Sequence, residues 1–301
     1  MTTEKELHHI NNISNTENLW HSQNFLYNPS FVKSLVAMTN INQDDIVIEI
    51  GPGKGIITEE LSQKAHKVIA IELDSNLAKE LRDRFREAKN IEIIEADFLK
   101  WSNPTFKYKV FSNIPFEYTS RIMDKLLLSP NSPEDTYLIM QDLAAKRYIG
   151  SPLGKNSQIS LLLQPFYEMS ILTNIDRKQY KPVPNVDTVL AQFHKREQPL
   201  VDKKLEQDYR DFVIYGYNQW EPTILQAFDK VFSYKQQKIL EKNLHIKNKK
   251  PSELNIDEWI TLFKTYIQYV SEEKKNLVRG SERLLQSKQK KLERTYKTRR
   301  R

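Results

Sequence analysis

Short apolar runs rich in β-branched residues recur along the first half of the chain, and between them apolar residues return every three or four positions. The runs predict β-strands, and the stretches between them predict helices. The predicted strands are 46–50, 67–73, 91–97, 109–112 and 135–140, and the predicted helices are 57–65, 75–88 and 119–129. This alternation is typical of an α/β fold with an open, mainly parallel, doubly wound sheet, which binds ligands beyond the carboxyl ends of its strands.

The pattern changes in the second half of the chain. The predicted elements there are a buried helix at 157–166, strands at 168–175 and 187–194, and helices alone from residue 205 onward. We therefore expect a Rossmann-like domain followed by a smaller all-helical domain. The predicted organisation is a flexible arm (1–20), the Rossmann-like domain (21–197), the helical domain (198–270) and a basic tail (271–301).

Composition excludes several classes of protein. The chain has no cysteine, which excludes disulfides, thiolate catalysis and cysteine-ligated zinc. It has no apolar run of about 18 residues and no apolar N-terminal core, so we expect neither a membrane span nor a signal peptide. The net charge is +7, and residues 271–301 hold twelve Lys and Arg against four Asp and Glu. A charged run is more often only a solvated face, so the tail gives weak support for a polyanionic partner.

Residues 46–55, Ile-Val-Ile-Glu-Ile-Gly-Pro-Gly-Lys-Gly, join the first strand to the first helix through three of the chain's seven glycines. Because Gly51, Gly53 and Gly55 lack Cβ atoms, the backbone can approach a ligand, and the following helix offers free N–H groups. The spacing is not that of the dinucleotide fingerprint, and no hydroxyl residue follows Lys54 as in a Walker loop. The turn predicts a phosphate or nucleotide site, with an ordinary strand-to-helix turn as the alternative.

Polar side chains end the next three predicted strands, although each could be only a cap or turn former. Glu72 follows Gly51 by 21 residues, where an acidic side chain binds a ribose diol in related folds. Asp97 ends the third strand and can accept a hydrogen bond from an exocyclic amine, and Asn113 ends the fourth. Three such residues beyond a glycine turn predict a nucleoside-like ligand.

Asn113-Ile114-Pro115-Phe116 indicates the chemistry. An adenine amine is a poor nucleophile because its lone pair is delocalised into the ring. The Asn113 side-chain carbonyl and the Ile114 backbone carbonyl would accept its two N–H groups and localise that lone pair, while Pro115 stiffens the backbone. Phe116 offers a stacking face for an extruded base. The segment predicts methyl transfer from a sulfonium to adenine, with an Asx-turn followed by proline and a core phenylalanine as the alternative.

Six segments share a wider pattern. They are Ser-Gln-Asn-Phe-Leu (22–26), Glu-Ile-Gly-Pro-Gly-Lys-Gly (49–55), Ile-Glu-Leu-Asp (71–74), Ala-Asp-Phe (96–98), Ser-Asn-Ile-Pro-Phe (112–116) and Lys-Pro-Val-Pro-Asn-Val-Asp (181–187). Together they resemble the rRNA adenine N6-dimethyltransferase family. The resemblance covers about 20–195, and the helical region up to 270 is similar in character.

The resemblance implies that the cofactor is S-adenosylmethionine and that several segments hold it. The implied residues are Asn24 and Leu26, which close over the cofactor, Gly51 and Gly53 at its methionine part, Glu72 at its ribose hydroxyls, Asp97 at its adenine amine, and Asn113, which is shared with the target base.

The implied target site consists of Asn113, Ile114 and Phe116. Phe116 replaces the tyrosine that is commoner in the family, so any role of a hydroxyl is absent while stacking remains. Tyr180 is a candidate for the second face of a stack around the target base, and a core aromatic is the equal alternative.

Ile114 and Phe116 resemble the Erm branch of the family more than the KsgA branch. Erm enzymes mono- or dimethylate one adenine of 23S rRNA near the peptidyl transferase centre and confer resistance to macrolides, lincosamides and streptogramin B. The resemblance thus implies a cytoplasmic monomer that acts on 23S rRNA before ribosome assembly, binds RNA through 198–270 and needs no metal. The alternatives are a KsgA-like 16S rRNA dimethyltransferase, an RNA-binding protein without catalysis, and a small-molecule methyltransferase.

Overall fold

The computed structural model describes the backbone of residues 24–299 and the side chains of residues 24–292. The predicted arm at 1–20, residues 22 and 23 of the first family segment, and the last two residues of the tail lie outside the described residues. The chain divides into two compact units. One contains residues up to Ala145 together with Ser170–His194, and the other contains Lys146–Met169 and the residues from Lys195 onward.

Nine strands are described: β1 Phe25–Leu26, β2 Ile46–Ile50, β3 Lys67–Glu72, β4 Ile91–Glu95, β5 Lys109–Asn113, β6 Asp135–Gln141, β7 Tyr167–Ile175, β8 Tyr180–Lys181 and β9 Thr188–Lys195. Seven of them form one sheet in the order β4-β3-β2-β5-β6-β9-β7, and β1 pairs separately with β8. The strands from β2 to β6 pair in parallel, and β9 runs antiparallel to β6. The predicted α/β fold with a mainly parallel sheet is therefore confirmed.

Helix α1 Pro29–Ala37 precedes the strands of this sheet, and the helices that follow its strands are α2 Ile56–Lys64, α3 Ser75–Arg84, α4 Thr119–Leu127 and α5 Asp142–Ile149. The side chain of Asn28 caps α1 by accepting a hydrogen bond from the Phe31 amide, and Asp74 caps α3 in the same way. The central strands are enclosed by neighbours on both sides. Val47, Ile48 and Val68 are accordingly fully buried, as their β-branched sequence predicts.

The second unit is helical. Its helices are α6 Gln158–Leu163, α7 Glu206–Tyr217, α8 Ile224–Ala227, α9 Tyr234–Leu244, α10 Ile256–Tyr269, α11 Glu272–Lys275 and α12 Ser281–Arg299. Its core is built around Phe212, whose ring stacks on Phe228 at 4.5 Å and lies 4.9 Å from Tyr266. A Cβ atom at Gly216 would come within 2.4 Å of the Phe228 ring, so this glycine lets the ring pack directly on the α7 backbone.

The segment 146–169 groups with the helical unit, although the sequence pattern placed it with the sheet. Leu161 and Leu162 of α6 are buried in the core of the helical unit, and the Tyr209 hydroxyl donates a hydrogen bond to the Leu161 carbonyl at 2.9 Å. A run of leucines indicates burial but not which element buries it, so the sequence alone could not assign α6 to the helical unit.

No helix in the described part of the chain is both long and apolar enough to cross a membrane.

Candidate functional site

The turn after β2 places three glycines in left-handed backbone conformations. The φ angle is +65° at Gly51, +56° at Gly53 and +78° at Gly55, a region that other residues rarely adopt. The Gly51 amide donates to the Ile71 carbonyl at 2.9 Å and ties the turn to the end of β3. A Cβ atom at Gly51 would meet no atom within 4 Å. The start of the turn therefore borders open space.

The Glu72 carboxylate lies against this turn at the end of β3. Its Oε2 accepts a hydrogen bond from the Gly53 amide at 3.1 Å, and its Oε1 accepts one from the Asp74 amide at 3.0 Å. Burial raises the pKa of Glu72, and the hydrogen bonds from Asp74 and Gly53 act in the opposite direction. Each carboxylate oxygen has a further lone pair, so Glu72 can also accept hydrogen bonds from a ligand's hydroxyl groups.

Glu49, which the sequence reasoning did not single out, is a second carboxyl group in this region. The residue is 1 % exposed within β2, and its Oε2 accepts a hydrogen bond from the Thr58 hydroxyl at 2.6 Å. Burial raises the pKa of Glu49 to about 8, the Thr58 hydrogen bond opposes this, and the charge of Glu72 adds to it. Glu49 therefore holds its proton to a higher pH than an ordinary carboxyl group does. The available signal was an acidic residue inside a β-branched run.

Asp97 follows β4, the neighbour of β3. The Ala96 amide donates to the Glu72 carbonyl at 2.8 Å, which brings this loop to the end of β3. Oδ1 of Asp97 accepts a hydrogen bond from the Leu99 amide at 2.9 Å, and Oδ2 lies 3.6 Å from the Lys100 ammonium group. The half-buried carboxylate thus shapes its own loop and retains acceptor capacity.

Asn113 ends β5, two strands away from β3 in the sheet. The Ser112 hydroxyl donates to the Ile50 carbonyl at 2.5 Å and joins the ends of β5 and β2. The Asn113 Nδ2 donates to the Asn24 carbonyl at 3.0 Å. No hydrogen bond to Asn113 Oδ1 forms among the described residues. Oδ1 is therefore the atom of this amide that can accept from a ligand.

The three residues after Asn113 have a fixed backbone. The Ile114 amide donates to the Ile139 carbonyl at 3.2 Å, and the Ile114 side chain is buried. Pro115 has a φ of −62° and a ψ of 124°, and it leads into a single 3₁₀ turn, Phe116–Tyr118. Phe116 is half-buried. The predicted acceptor carbonyls of Asn113 and Ile114 and the predicted stacking ring thus lie in one short, anchored segment.

The chain reaches this site again through β1, which pairs with β8. The Asn24 carbonyl contacts Asn113, as described above, whereas Leu26 is buried in the core of the sheet unit. Phe25 was not among the predicted site residues. A Cβ atom at Gly53 would come within 2.6 Å of the Phe25 ring, so this ring packs directly on the glycine turn. Gly53 is the residue that permits the contact.

The model of one protein family, described as ribosomal RNA adenine dimethylase, matches residues 14–268. The chain belongs to the ribosomal RNA adenine dimethylase family. It is therefore an enzyme that methylates adenine in ribosomal RNA, and the predicted activity is confirmed at this level.

Relatives in this family carry different names. An "rRNA adenine N-6-methyltransferase" of Bacillus licheniformis is 32 % identical over 254 residues, which is 84 % of this chain and 88 % of the relative. A "Ribosomal RNA small subunit methyltransferase A" of Latilactobacillus sakei is 30 % identical over 225 residues, 71 % of this chain and 76 % of the relative. The crystal structure of the 23S rRNA methyltransferase ErmE superposes with a TM-score of 0.76 and 26 % identity, covering 81 % of this chain and all of that one.

Tyr180, the candidate for the second stacking face, lies in the core. The residue is 1 % exposed, its hydroxyl lies 2.8 Å from the Thr188 hydroxyl, and burial raises the pKa of Tyr180 to about 12. It pairs with Leu26 across the β1–β8 sheet. A ring enclosed to this extent has no face for an incoming base, so the structure favours the core alternative over the stacking role.

Proposed function

We propose that this enzyme methylates the exocyclic amine of one adenine in 23S rRNA, using S-adenosylmethionine, and thereby confers resistance to macrolides, lincosamides and streptogramin B. The observation that carries the chemistry is the orientation of Asn113. Its Nδ2 donates to the Asn24 carbonyl, which leaves its carbonyl oxygen to accept a hydrogen bond from a ligand. Beside it, Pro115 and Phe116 provide a rigid backbone and an aromatic face.

The residues at the strand ends fit S-adenosylmethionine. Its ribose hydroxyls and adenine amine are hydrogen-bond donors, and the Glu72 and Asp97 carboxylates are acceptors with capacity to spare. Its amino-acid part fits beside Gly51, where the backbone borders open space. Asn24 and Phe25 would cover the bound molecule from the side of the glycine turn. When bound, this cofactor supplies an electrophilic methyl group on a sulfonium.

The protein groups act on the target adenine. The Asn113 side-chain carbonyl and the Ile114 backbone carbonyl would each accept one N–H of the amine, which localises its lone pair and fixes its direction. Phe116 would stack on the extruded base, a contact worth about 1–3 kcal/mol. No protein base is needed before transfer, because the methylated ammonium product is acidic enough to lose its proton to water.

The competing function is methylation of 16S rRNA, since one relative is named as a small-subunit methyltransferase. One observation favours 23S rRNA: the 23S rRNA methyltransferase ErmE matches this chain over all of its own length at 26 % identity. We therefore propose that this chain acts as the Erm branch does, and we expect it to act as a monomer on 23S rRNA before ribosome assembly.

Methyl transfer from labelled cofactor tests the proposal directly. Purified enzyme should label naked 23S rRNA and leave 30S subunits unlabelled. The Asn113→Ala variant should lose on the order of 10²–10³-fold in kcat because a preorganised polar partner of the reacting group is gone, with a smaller loss of cofactor affinity. Asn76→Ala, on an exposed helical position, is the matched control and should behave as wild type.

Two results would overturn the proposal. Labelling of 30S subunits instead of 23S rRNA would establish the small-subunit function. Wild-type turnover by Asn113→Ala would refute the role of the Asn113 carbonyl. Expression in a macrolide-sensitive bacterium should also raise erythromycin tolerance, and the Asn113→Ala variant should abolish that rise.

A further inference from the structure

The chain continues beyond the family domain with a strongly basic segment. The family match ends at residue 268, and residues 271–301 then carry twelve Lys and Arg against four Asp and Glu. Without this segment the chain is close to neutral, with 34 basic and 35 acidic residues. A family's shared activity does not account for a feature outside its domain, so the segment requires its own explanation.

The segment is fastened to the helical unit at the start of α12. The Asp211 carboxylate on α7 is buried and accepts hydrogen bonds from the Gly280 and Glu282 amides, both at 2.8 Å. These are donors at the start of a helix, which otherwise lack partners. Arg210 also pairs with the Glu282 side chain through both ends of its guanidinium group. The first turn of α12 is therefore fixed in position by two neighbouring residues of α7.

After its first turns, α12 no longer packs against the rest of the helical unit. Leu285 packs on the core of the helical unit, but residues 286–292 are all exposed, which means that almost two turns of helix have no packed face. The backbone continues as helix to Arg299, so the part after Leu285 extends for about 20 Å at ~1.5 Å per residue. An isolated helix of this length is marginal in water because its first turn is costly to form, and the anchored turn supplies that nucleus.

The projecting part is cationic. Arg283, Lys288, Lys290 and Lys291 are exposed, and five further Lys and Arg follow Leu292 in the sequence. Positions 283 and 290 lie on one face of the helix because they are seven residues apart, and Leu285, which is directed to the core, lies on another. The exposed basic side chains in the described part of the helix are thus not used for packing.

We propose that α12 is an additional RNA-binding element, which contacts phosphate groups of the rRNA without reading bases and is held in a set direction by Asp211 and Arg210. The inference rests on the proposed rRNA substrate, and charge complementarity favours rRNA as the partner. A cationic helix with almost no anionic side chains after Glu282 matches a polyphosphate backbone. Phosphate contacts of this kind add affinity and make it dependent on salt.

Binding of a labelled 23S rRNA transcript across a series of KCl concentrations tests the charges. In the Lys288→Gln/Lys290→Gln/Lys291→Gln variant we expect ~10-fold weaker binding at low salt and a salt slope smaller by about 2–3, since each phosphate contact contributes about 0.7–0.9. The control is Lys33→Gln/Lys79→Gln/Lys89→Gln, which removes three exposed lysines and changes net charge equally. Equal slopes in the two triple variants would overturn the proposal.

Insertion of three glycines between Leu285 and Gln286 tests the fixed direction. This variant keeps the anchor and every charge but breaks the continuity of the helix. We expect affinity to fall several-fold. Unchanged affinity would show that the tail acts as a loose tether and would refute the role assigned to the Asp211 anchor.

The same samples separate failure of this inference from failure of the proposed function. If wild-type enzyme methylates naked 23S rRNA but the Lys288/Lys290/Lys291 variant has an unchanged KM and salt slope, only the role of α12 is wrong. If wild-type enzyme does not methylate 23S rRNA, the proposed function is wrong, whatever α12 does. Loss of RNA affinity in the tail variant alone would then still establish the helix as an RNA-binding element.

Discussion

The two ends of the parallel sheet both carry carboxyl groups, but the groups that surround these carboxyls differ between the two ends. At the N-terminal ends of the strands, the Lys109 ammonium group lies 2.8 Å from Asp45 and donates to the Asn40 carbonyl at 3.1 Å. Asp135 lies 4.0 Å from the same ammonium group, and its other oxygen lies 2.8 Å from Nδ1 of His194. Each carboxylate in this group lies beside the Lys109 cation, and we call the group the closed network.

At the C-terminal ends of the strands, the carboxyl groups of Glu49 and Glu72 are nearly as buried but pair with no cation within residues 24–292. Among the described residues they receive hydrogen bonds only from backbone amides and from the Thr58 hydroxyl. The contrast predicts that the first end serves stability and the second serves a ligand. A network of paired charges stabilises the fold, whereas a buried carboxyl group without a paired charge costs free energy in the empty protein and is available to a ligand.

The largest expected effect comes from opening the closed network. Lys109→Met would leave the buried Asp135 and the partly exposed Asp45 without this cation, so we expect a loss of about 3–5 kcal/mol in the free energy of unfolding. Urea denaturation measures it. The control is Lys107→Met, which removes an exposed lysine paired with Glu134 and should change stability by less than about 1 kcal/mol. Equal losses in the two variants would contradict the distinction between the two ends.

Glu49 predicts a pH dependence of stability. Its pKa is about 8 in the folded protein against the ordinary value of 4.5, so the folded state binds the proton more tightly than the unfolded state does. Stability from this group is fully present below about pH 4.5 and is lost as pH rises towards 8. Glu49→Gln cannot titrate, and its stability should decline less between pH 5 and pH 8. Parallel curves for the two proteins, measured by thermal denaturation, would exclude the effect.

Glu72 should affect the cofactor more than the fold. In Glu72→Gln one oxygen that accepts a backbone amide is replaced by an N–H donor, and we expect a 10- to 100-fold loss of S-adenosylmethionine affinity, or ~1.4–2.8 kcal/mol, by calorimetry. The matched control is Glu95→Gln, the residue opposite Glu72 in the β3–β4 register, which is exposed and pairs with Arg82. An equal loss of affinity in Glu95→Gln would show that the hydrogen bonds of Glu72 do not determine cofactor binding.

The smallest effect sharpens the comparison for aromatic rings. Tyr137, near the closed end, is fully buried and its hydroxyl accepts the Asn40 amide, whereas Phe116 is only half-buried. Phe116→Ala should lower kcat/KM by about 5- to 100-fold through lost stacking, while Phe116→Tyr keeps the ring and should stay within a few-fold of wild type. Similar losses in both variants would argue against stacking.

Most strands of the sheet were predictable because a run of apolar residues, many of them β-branched or aromatic, is visible in the sequence without knowledge of the neighbouring strands. β1 and β8 were not predictable. Each has two residues, and the pairing of Phe25 with Lys181 joins positions that are distant in sequence. The contact between Phe25 and Gly53 follows from that pairing, so it was equally hidden.

The candidate site was predictable as far as strand ends could be located. Glu72, Asp97 and Asn113 were found because each follows an apolar run. The burial of Tyr180 could not be read from the sequence, because it depends on Thr188 and on the β1–β8 pairing. The role of Glu49 required knowing that Thr58 lies within reach of its carboxyl group.

The Asp211 anchor sets the minimum length of a stable fragment. The family boundary falls at residue 268, but Val278 is fully buried in the helical core and Asp211 depends on the Gly280 and Glu282 amides. A protein cut at residue 268 would lack Val278, which would leave a cavity in the helical core. It would also leave the buried Asp211 carboxylate without the two amides that donate to it. Shortened recombinant proteins should therefore end after Leu285, which still packs on the helical core. Such a cut would remove only the exposed cationic part of α12.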